Sequence, residues 1–416
     1  MRPPARFAAL VLVAPDGSCL GALAPVPVTT PWWPETAPIV AAVRDRYGIE
    51  VTVLRLLEAD RDSPPGGTVT YLAQTSDLVD GLRPFSSSLD DHPLRMPWAM
   101  PGGPQADIAW ADRVLADRGI GRSGPAEQIR SWNLSSLWRL PIQGGGTPGQ
   151  GGAVWLKHVP AFFTHEAAVI QALAGWPVPT LLAADGQRML LREIPGVDHH
   201  DAGPEVLAPA VTTLVRMQAS WASRVDALRA MGLPDWRPGP LTEAIEAVIA
   251  RTATDLPPAD RRSLEAFTDR LPDRWQQIDA CGIPDSLVHG DFSPGNLRGD
   301  GDPTVLLDWG DSGVGHPLLD QPAMLSRVPK AAVATLRDQW TSAWTSVIPG
   351  SDPHRAAELL EPIAAARQAV IYRRFLDQIE PSEHPYHRAD PQQWLGRAAA
   401  RFRDAQVRAA SRPARA

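Results

Sequence analysis

The stretch "SLVHGDFSPGNLRGDGDPTVLLDWGDSGVGHPLLD", residues 286–320, holds three polar residues whose types and spacing suit chemistry on phosphate. Asp291 is followed by Asn296 five positions later, and Asp308 comes after the apolar run "TVLL". A phosphoryl group in transfer stays anionic through a loose transition state. A site for it must hold a cation, align a hydroxyl and supply positive charge, with little covalent work left to the protein. Magnesium takes hard oxygen ligands, and Asn296 and Asp308 can offer an amide oxygen and a carboxylate from the two sides of a hairpin. Asp291 can accept the hydrogen bond of an attacking hydroxyl. With an ordinary carboxyl pKa of about 3.9 it is a weak base, so orientation and late proton acceptance are its expected role.

The positive charge has one conspicuous candidate. Lysine occurs only at Lys157 and Lys330 among 40 basic residues, the rest being arginine. An ammonium is a compact point charge, whereas guanidinium is a wide planar fork, so a lysine in such a chain calls for a role arginine does not fill. Lys330 reads as an ordinary helix-start residue. Lys157 ends the β-like run "GGAVWLKHV" and follows the glycine-rich "GGGTPGQGG".

These residues need elements to position them. Residues 1–100 read as a small mixed α/β domain: "FAALVLVA" and "CLGALAPVPV" flank a "PDGS" turn, and "APIVAAVRDRYG" is helical, ending on Gly48. "IEVTVLRLLEA" and "TVTYLAQT" then read as strands. A turn-rich linker with the helix "ADIAWADRVLADRG" occupies 101–125. A strand-rich segment follows over 126–197, a largely helical one over 198–405, and a flexible tail over 406–416. Strands followed by helices within one unit make an α+β arrangement.

The chain of 416 residues is too long for one core. Its net charge of −7 argues against a nucleic-acid partner. The prolines, 43 of them, cluster between apolar runs as turns. Two distant cysteines, Cys19 and Cys281, give no disulfide framework or thiolate metal site and suit a reducing compartment. No segment is apolar and long enough to span a membrane, so a cytoplasmic protein is expected. The sequence is compatible with a homo-oligomer. "DHHD" at 198–201 has metal-ligand residue types but reads as a solvated turn.

The motif "HGDFSPGN…LLDWGDSGVGHPLLD" resembles the catalytic core of the aminoglycoside phosphotransferase and choline-kinase-like family, relatives of the protein kinases, over residues 126–400. The resemblance implies a two-lobed fold with a β-rich N-lobe and a helical C-lobe, ATP and Mg2+ as cofactors, and a small hydroxylated substrate. It implies that Asp291 is the catalytic base, that Asn296 and Asp308 bind magnesium, and that Lys157 holds the ATP phosphates while paired with Glu166. The phosphate-covering loop then lies near "SWNLSS", with Asn133, Ser135 and Ser136 as donors. The glycine run becomes a hairpin turn between the second and third strands. Adenine is expected against Glu193 to Gly196, where Glu193 and Ile194 offer main-chain groups. His289 and Asp320 are expected to orient and brace the catalytic loop.

The order of elements in residues 1–100 also resembles a Nudix-type domain. Its box-helix positions carry Ala41, Ala42, Asp45 and Arg46, so the resemblance implies a fold without hydrolase chemistry. Two readings of the whole follow. One is a kinase acting on a small hydroxylated amine; the other is a silent nucleotide-binding pseudokinase. For a cationic substrate, "FLDQIEPSEHPYHRAD" (375–390) offers an acidic lining of mixed polarity that reads equally as a solvated C-terminal face, with Glu380 and Glu383 to be tested by alanine substitution.

Overall fold

Alternation in "RFAALVLV" produces the first strand, with its even-numbered residues Arg6, Ala8, Leu10 and Leu12 all buried. The computed structural model describes residues 3–86, 89–143, 152–301 and 303–410. The glycine-rich run at 144–151 and residues 411–416 lie outside them. The chain divides into two compact units. The first holds the residues up to Thr164, Thr180–Glu193 and Phe375–Ala389; the second holds His165–Pro179, Ile194–Arg374 and the residues from Asp390 onward.

The first unit contains two sheets. In one, β1 (Arg6–Val13), β2 (Cys19–Ala22), β3 (Val26–Val28), β4 (Thr52–Ala59) and β5 (Gly67–Gln74) are ordered β2-β1-β5-β4, with β3 also on β1. Strands β1 and β5 run parallel, and the other pairs are antiparallel. Helix α1 (Ala37–Tyr47) buries Ile39 and Val43 in the core of this sheet, beside Trp33 and Tyr71. It ends at Gly48, whose φ of 70° is the left-handed conformation that glycine adopts without strain.

The second sheet comprises β6 (Glu127–Trp132), β7 (Ser135–Ile142), β8 (Gly152–His158), β9 (Leu181–Asp185) and β10 (Arg188–Arg192), ordered β6-β7-β8-β10-β9 and wholly antiparallel. The glycine-rich run thus connects the second and third strands of this sheet. Helix α2 (Gly103–Ala116) buries Trp110, Ala111 and Leu115 against Trp138, Leu140 and Leu156 of the sheet. Its Asp107 carboxylate lies 2.7 Å from Nδ1 of His158, both groups buried. The middle of the expected linker is therefore part of a core.

The two sheets meet along β6. Gln128 Nε2 donates to Val53 O (2.7 Å) and its Oε1 accepts from Val53 N (2.9 Å), while Ser131 Oγ donates to Leu54 O (3.1 Å). A glutamine amide here stands in for a strand neighbour, satisfying main-chain groups that burial would otherwise leave unpaired.

In the second unit, α3 (His165–Ala172) is followed by β11 (Val197–Asp198) and the helices α4 (Pro204–Trp221), α5 (Val225–Ala230), α6 (Pro238–Thr252), α7 (Pro258–Asp269) and α8 (Leu271–Asp279), with β12 (Asp235–Trp236) before α6. Next come β13 (Ser286–Val288), β14 (Leu297–Gly299), β15 (Val305–Leu306) and β16 (Gly313–Gly315). Helices α9 (Gln321–Ser326), α10 (Lys330–Val347), α11 (Pro353–Leu376, its last two residues counted with the first unit) and α12 (Asp390–Ala410) complete the chain. Residues 406–410 are helical, so no tail begins at 406. The short strands form two small sheets, β11-β14-β15 and β12-β16-β13. No helix among the described residues is long and apolar enough to cross a membrane.

Candidate active site

In the second unit the hairpin β14–β15 brings the ends of the motif together. Leu297 pairs with Leu306, and Leu307 N donates to Asn296 O at 2.8 Å, which sets Asp308 one residue beyond Asn296's main-chain partner. Asn296 ends a short 3-10 turn, and its Nδ2 donates to both Asp291 O (2.8 Å) and Asp291 Oδ2 (2.9 Å). With the amide nitrogen committed, the amide oxygen is the group left for a cation. Asp308 has φ 60°, and it is the non-glycine residue with positive φ among the described residues. Such a conformation costs about 1–3 kcal/mol and persists where the surroundings over-determine it, a pattern concentrated at functional sites.

Beneath the loop lies Asp320, fully buried. Its Oδ2 accepts from His289 N (2.8 Å) and Gln218 Nε2 (2.8 Å), and its Oδ1 accepts from Gly290 N (2.7 Å). Burial pushes the Asp320 carboxyl upward, opposed by His289, by these main-chain donors and by Arg367. Buried Arg367 donates to Gly290 O at 3.2 Å. Gly290 itself has φ 94°, and a Cβ there would stand 1.9 Å from Asp311 O. The glycine of the "HGD" triplet is thus required by both conformation and space.

His289 is fully buried against Trp309, ring centroids 4.4 Å apart. Its Nε2 lies 3.0 Å from Leu307 O, and since a carbonyl only accepts, Nε2 carries the proton. Burial lowers the pKa of the ring, keeping it neutral. It therefore ties the residue two before Asp291 to the residue before Asp308. His165, opening α3, interacts through hydrogen bonds with the Gly310 and Ser312 main chain, and burial lowers its pKa to about 4. Sequence reasoning passed over His165, which has no motif around it. It also passed over Arg327, at the end of α9, whose Nη1 donates to Asp291 Oδ1 at 2.8 Å. That pair is half-exposed, so it yields readily to a competing partner.

Glu166 is buried in the first turn of α3, and Lys157 is half-buried on β8, opposite Leu137 and Met189. They belong to different units.

The first unit corrects the expectation for the β6–β7 turn. Asn133, Ser135 and Ser136 are all buried, and their side chains are engaged inside the unit. Asn133 Nδ2 donates to Glu383 O (3.4 Å) and its Oδ1 lies 3.0 Å from His387 Nε2. Ser135 Oγ accepts from Trp132 Nε1 (3.1 Å), and Ser136 Oγ from Trp138 Nε1 (3.0 Å). These side chains thus have partners within the first unit. The expected main-chain groups at 193–196 are also partly used: Glu193 N donates to Ala153 O (3.3 Å), and Ile194 O accepts from Arg298 Nε (2.8 Å). Glu193's carboxylate accepts from Arg139 Nε (2.9 Å) and Ala153 N (3.1 Å).

Glu380 and Glu383 border a cavity of about 10 Å3, too small for a substrate. Both are about 95% buried in the first unit, at 5% and 4% exposure. Glu380 is held by Arg95, and Glu383 Oε1 accepts from Leu56 N at 2.7 Å. Around 198–201, Asp198 pairs with Arg298 (2.7 Å) and His199 N donates to Leu297 O (3.0 Å), bonds of a structural turn.

Residues 154–359 match the model of the phosphotransferase enzyme family. Over that span the chain is similar to this family. Solved structures of similar fold include a macrolide 2′-phosphotransferase from Brachybacterium faecium, 19% identical, with a TM-score of 0.50, covering 69% of this chain and 97% of that one. A choline kinase from Cryptosporidium parvum gives 11% identity and a TM-score of 0.51 over 73% of this chain and 96% of its own. An ethanolamine kinase from Plasmodium vivax gives 9% and 0.51 over 77% and 94%. No curated protein sequence matches the chain. The fold is thus the α+β fold of the protein-kinase-like phosphotransferases.

Proposed function

We propose that this chain is an ATP- and Mg2+-dependent small-molecule kinase that moves the γ-phosphate onto a hydroxyl, with Asp291 as the base that orients the acceptor. The observation that carries this reading is the coupling of Asp291, Asn296 and Asp308 through the Asn296 side chain and main chain. No group of three or more His, Cys, Asp or Glu able to hold a metal occurs among the described residues. A cation here would have few protein ligands, Asn296 and Asp308, and would draw the rest from phosphate and water. That is how magnesium is usually held beside a nucleotide, so the residues fit it. When bound, the ion supplies neutralisation of the phosphate charge. The protein's own part is to hold Asp291 through Asn296 and to fix the loop through Asp320 and His289. Arg327 releases Asp291 when an acceptor hydroxyl takes its place. Lys157 and Glu166 are the proposed phosphate-holding pair, and the acceptor is a hydroxylated amine or similar compound.

A second reading keeps nucleotide binding but no transfer. It is favoured by one observation, the bond from Asn133 Nδ2 to Glu383 O, which takes up an amide donor expected over the phosphates. The Nudix-like reading of residues 1–100 is likewise a proposal, supported by the placement of α1 between β3 and β4 of a mixed sheet.

An ATP-binding isotherm with and without magnesium, on the native chain and on Asp308→Ala, tests the function. Magnesium-dependent binding that weakens by about tenfold or more in the variant supports the site. Release of labelled phosphate onto hydroxylated amines then separates kinase from sensor. Binding indifferent to both magnesium and Asp308 would sink the kinase reading.

A further inference from the structure

Helices α8, α11 and α12 of the second unit, with Arg270 between α7 and α8, border a cavity of about 560 Å3 lined by Arg270, Arg274, Arg355 and Arg408. The acids in its lining are Asp273 and Glu358, so four positive side chains face two negative ones in a chain whose net charge is −7. The rim arginines have partial partners. Arg355 reaches Glu358 at 3.5 Å and Gln277 at 3.0 Å, and Arg408 reaches Glu361 at 3.2 Å.

Arg274 is different. It donates to Leu359 O at 2.8 Å, and its guanidinium carbon lies 5.7 Å from the centre of the Phe402 ring. Its Nε is buried and has no hydrogen-bond partner. Burial, then the charges of Arg355 and Arg270, lower its pKa to about 10. A guanidinium held on an apolar floor beside two others is a costly arrangement that an anion relieves. Guanidinium forks match the oxygens of carboxylates and phosphates, often in pairs.

We infer that this cavity binds a small multivalent oxyanion, of the pyrophosphate or tricarboxylate class, through Arg270, Arg274 and Arg355. Several converging forks suit a ligand with more than one anionic group. None of the lining residues lies in the catalytic loop.

The test is calorimetric titration of the full chain with pyrophosphate and, separately, with citrate, both without magnesium. The native protein is expected to show one saturable site for at least one of them, and the preference identifies the oxyanion. The double variant Arg270→Gln/Arg355→Gln should bind about tenfold or more weakly, and affinity should fall with added salt. Arg270→Gln alone, at an exposed side chain, should lose about threefold, which guards against misfolding of the double variant. Asp308→Ala should bind as the native chain does. Affinity unchanged by the arginine substitutions, loss in Asp308→Ala instead, or no binding of either anion at millimolar concentration would overturn the inference.

Discussion

Asp320 in the second unit and Glu383 in the first are both buried carboxylates that accept main-chain N–H groups, yet they are satisfied to different degrees. Asp320 takes two main-chain donors and the Gln218 amide, with Arg367 close by in charge. Glu383 takes Leu56 N on one oxygen, while its other oxygen has no partner. Burial, reinforced by neighbouring Glu380, pushes the Glu383 pKa up to about 8, against the lowering effect of the Leu56 bond. The contrast is between an acid that shapes a loop through three donors and an acid that fastens a segment through one. Each donor offsets part of the cost of burying the charge.

The comparison can be broken at several points. Removing Asp320 should have the largest effect: Asp320→Ala leaves two buried main-chain donors and Arg367 unmatched, and should cost about 3–5 kcal/mol. Calorimetry should show the second unit melting earlier, together with loss of magnesium-dependent ATP binding. A mild effect on melting would mean that Arg367 and His289 hold the loop without it.

The next test concerns pH. Because the folded pKa of Glu383 is raised, its stabilising contribution is full below the unfolded value of about 4.5 and is lost as pH rises through about 8. Between pH 5 and 8 the native chain should melt progressively lower, levelling off above about 8. Glu383→Gln, which keeps an acceptor for Leu56 N, should flatten that slope; an unchanged slope would remove Glu383 as its source. Smaller again is the join between the sheets. Gln128→Ala strands Val53 N–H and C=O and should cost about 1–3 kcal/mol in urea unfolding. Least of all, Arg44→Ala breaks an exposed pair with Glu50 and should change stability by less than about 1 kcal/mol.

The two carboxylates also differ in how far each could be read from sequence. Asp291, Asn296, Asp308 and Asp320 fall within one stretch of the chain, and their joint geometry is set by a hairpin and two short turns. Local spacing therefore carries most of the arrangement. The strands of the second sheet were equally legible as elements, but not their order, in which β10 lies between β8 and β9. The segment at 375–389 was not. Its glutamates and histidines look like a solvated or substrate-facing surface, but their partners are Leu56, Arg95 and Asn133, hundreds of residues upstream. The same holds for the buried turn of Asn133, Ser135 and Ser136, which is covered from outside its own neighbourhood. Arg327 escaped notice because its link to Asp291 rests on where α9 ends, not on any motif.

The placement of 375–389 has a consequence for synthesis. The Leu56–Glu383 bond spans 327 positions. A ribosome adding about 5–20 residues per second needs some tens of seconds to travel that far. For that interval the emerging first unit has its N-terminal sheet but lacks the strap that accepts from Leu56 and covers Tyr71's neighbour Trp33 with the ring of Tyr386. Among the described residues the backbone crosses between the units at five junctions, so no fragment ending at residue 193 contains a finished first unit. Nascent chains halted before residue 375 should be protease-sensitive within β4 and the β6–β7 turn, and release past 389 should protect both.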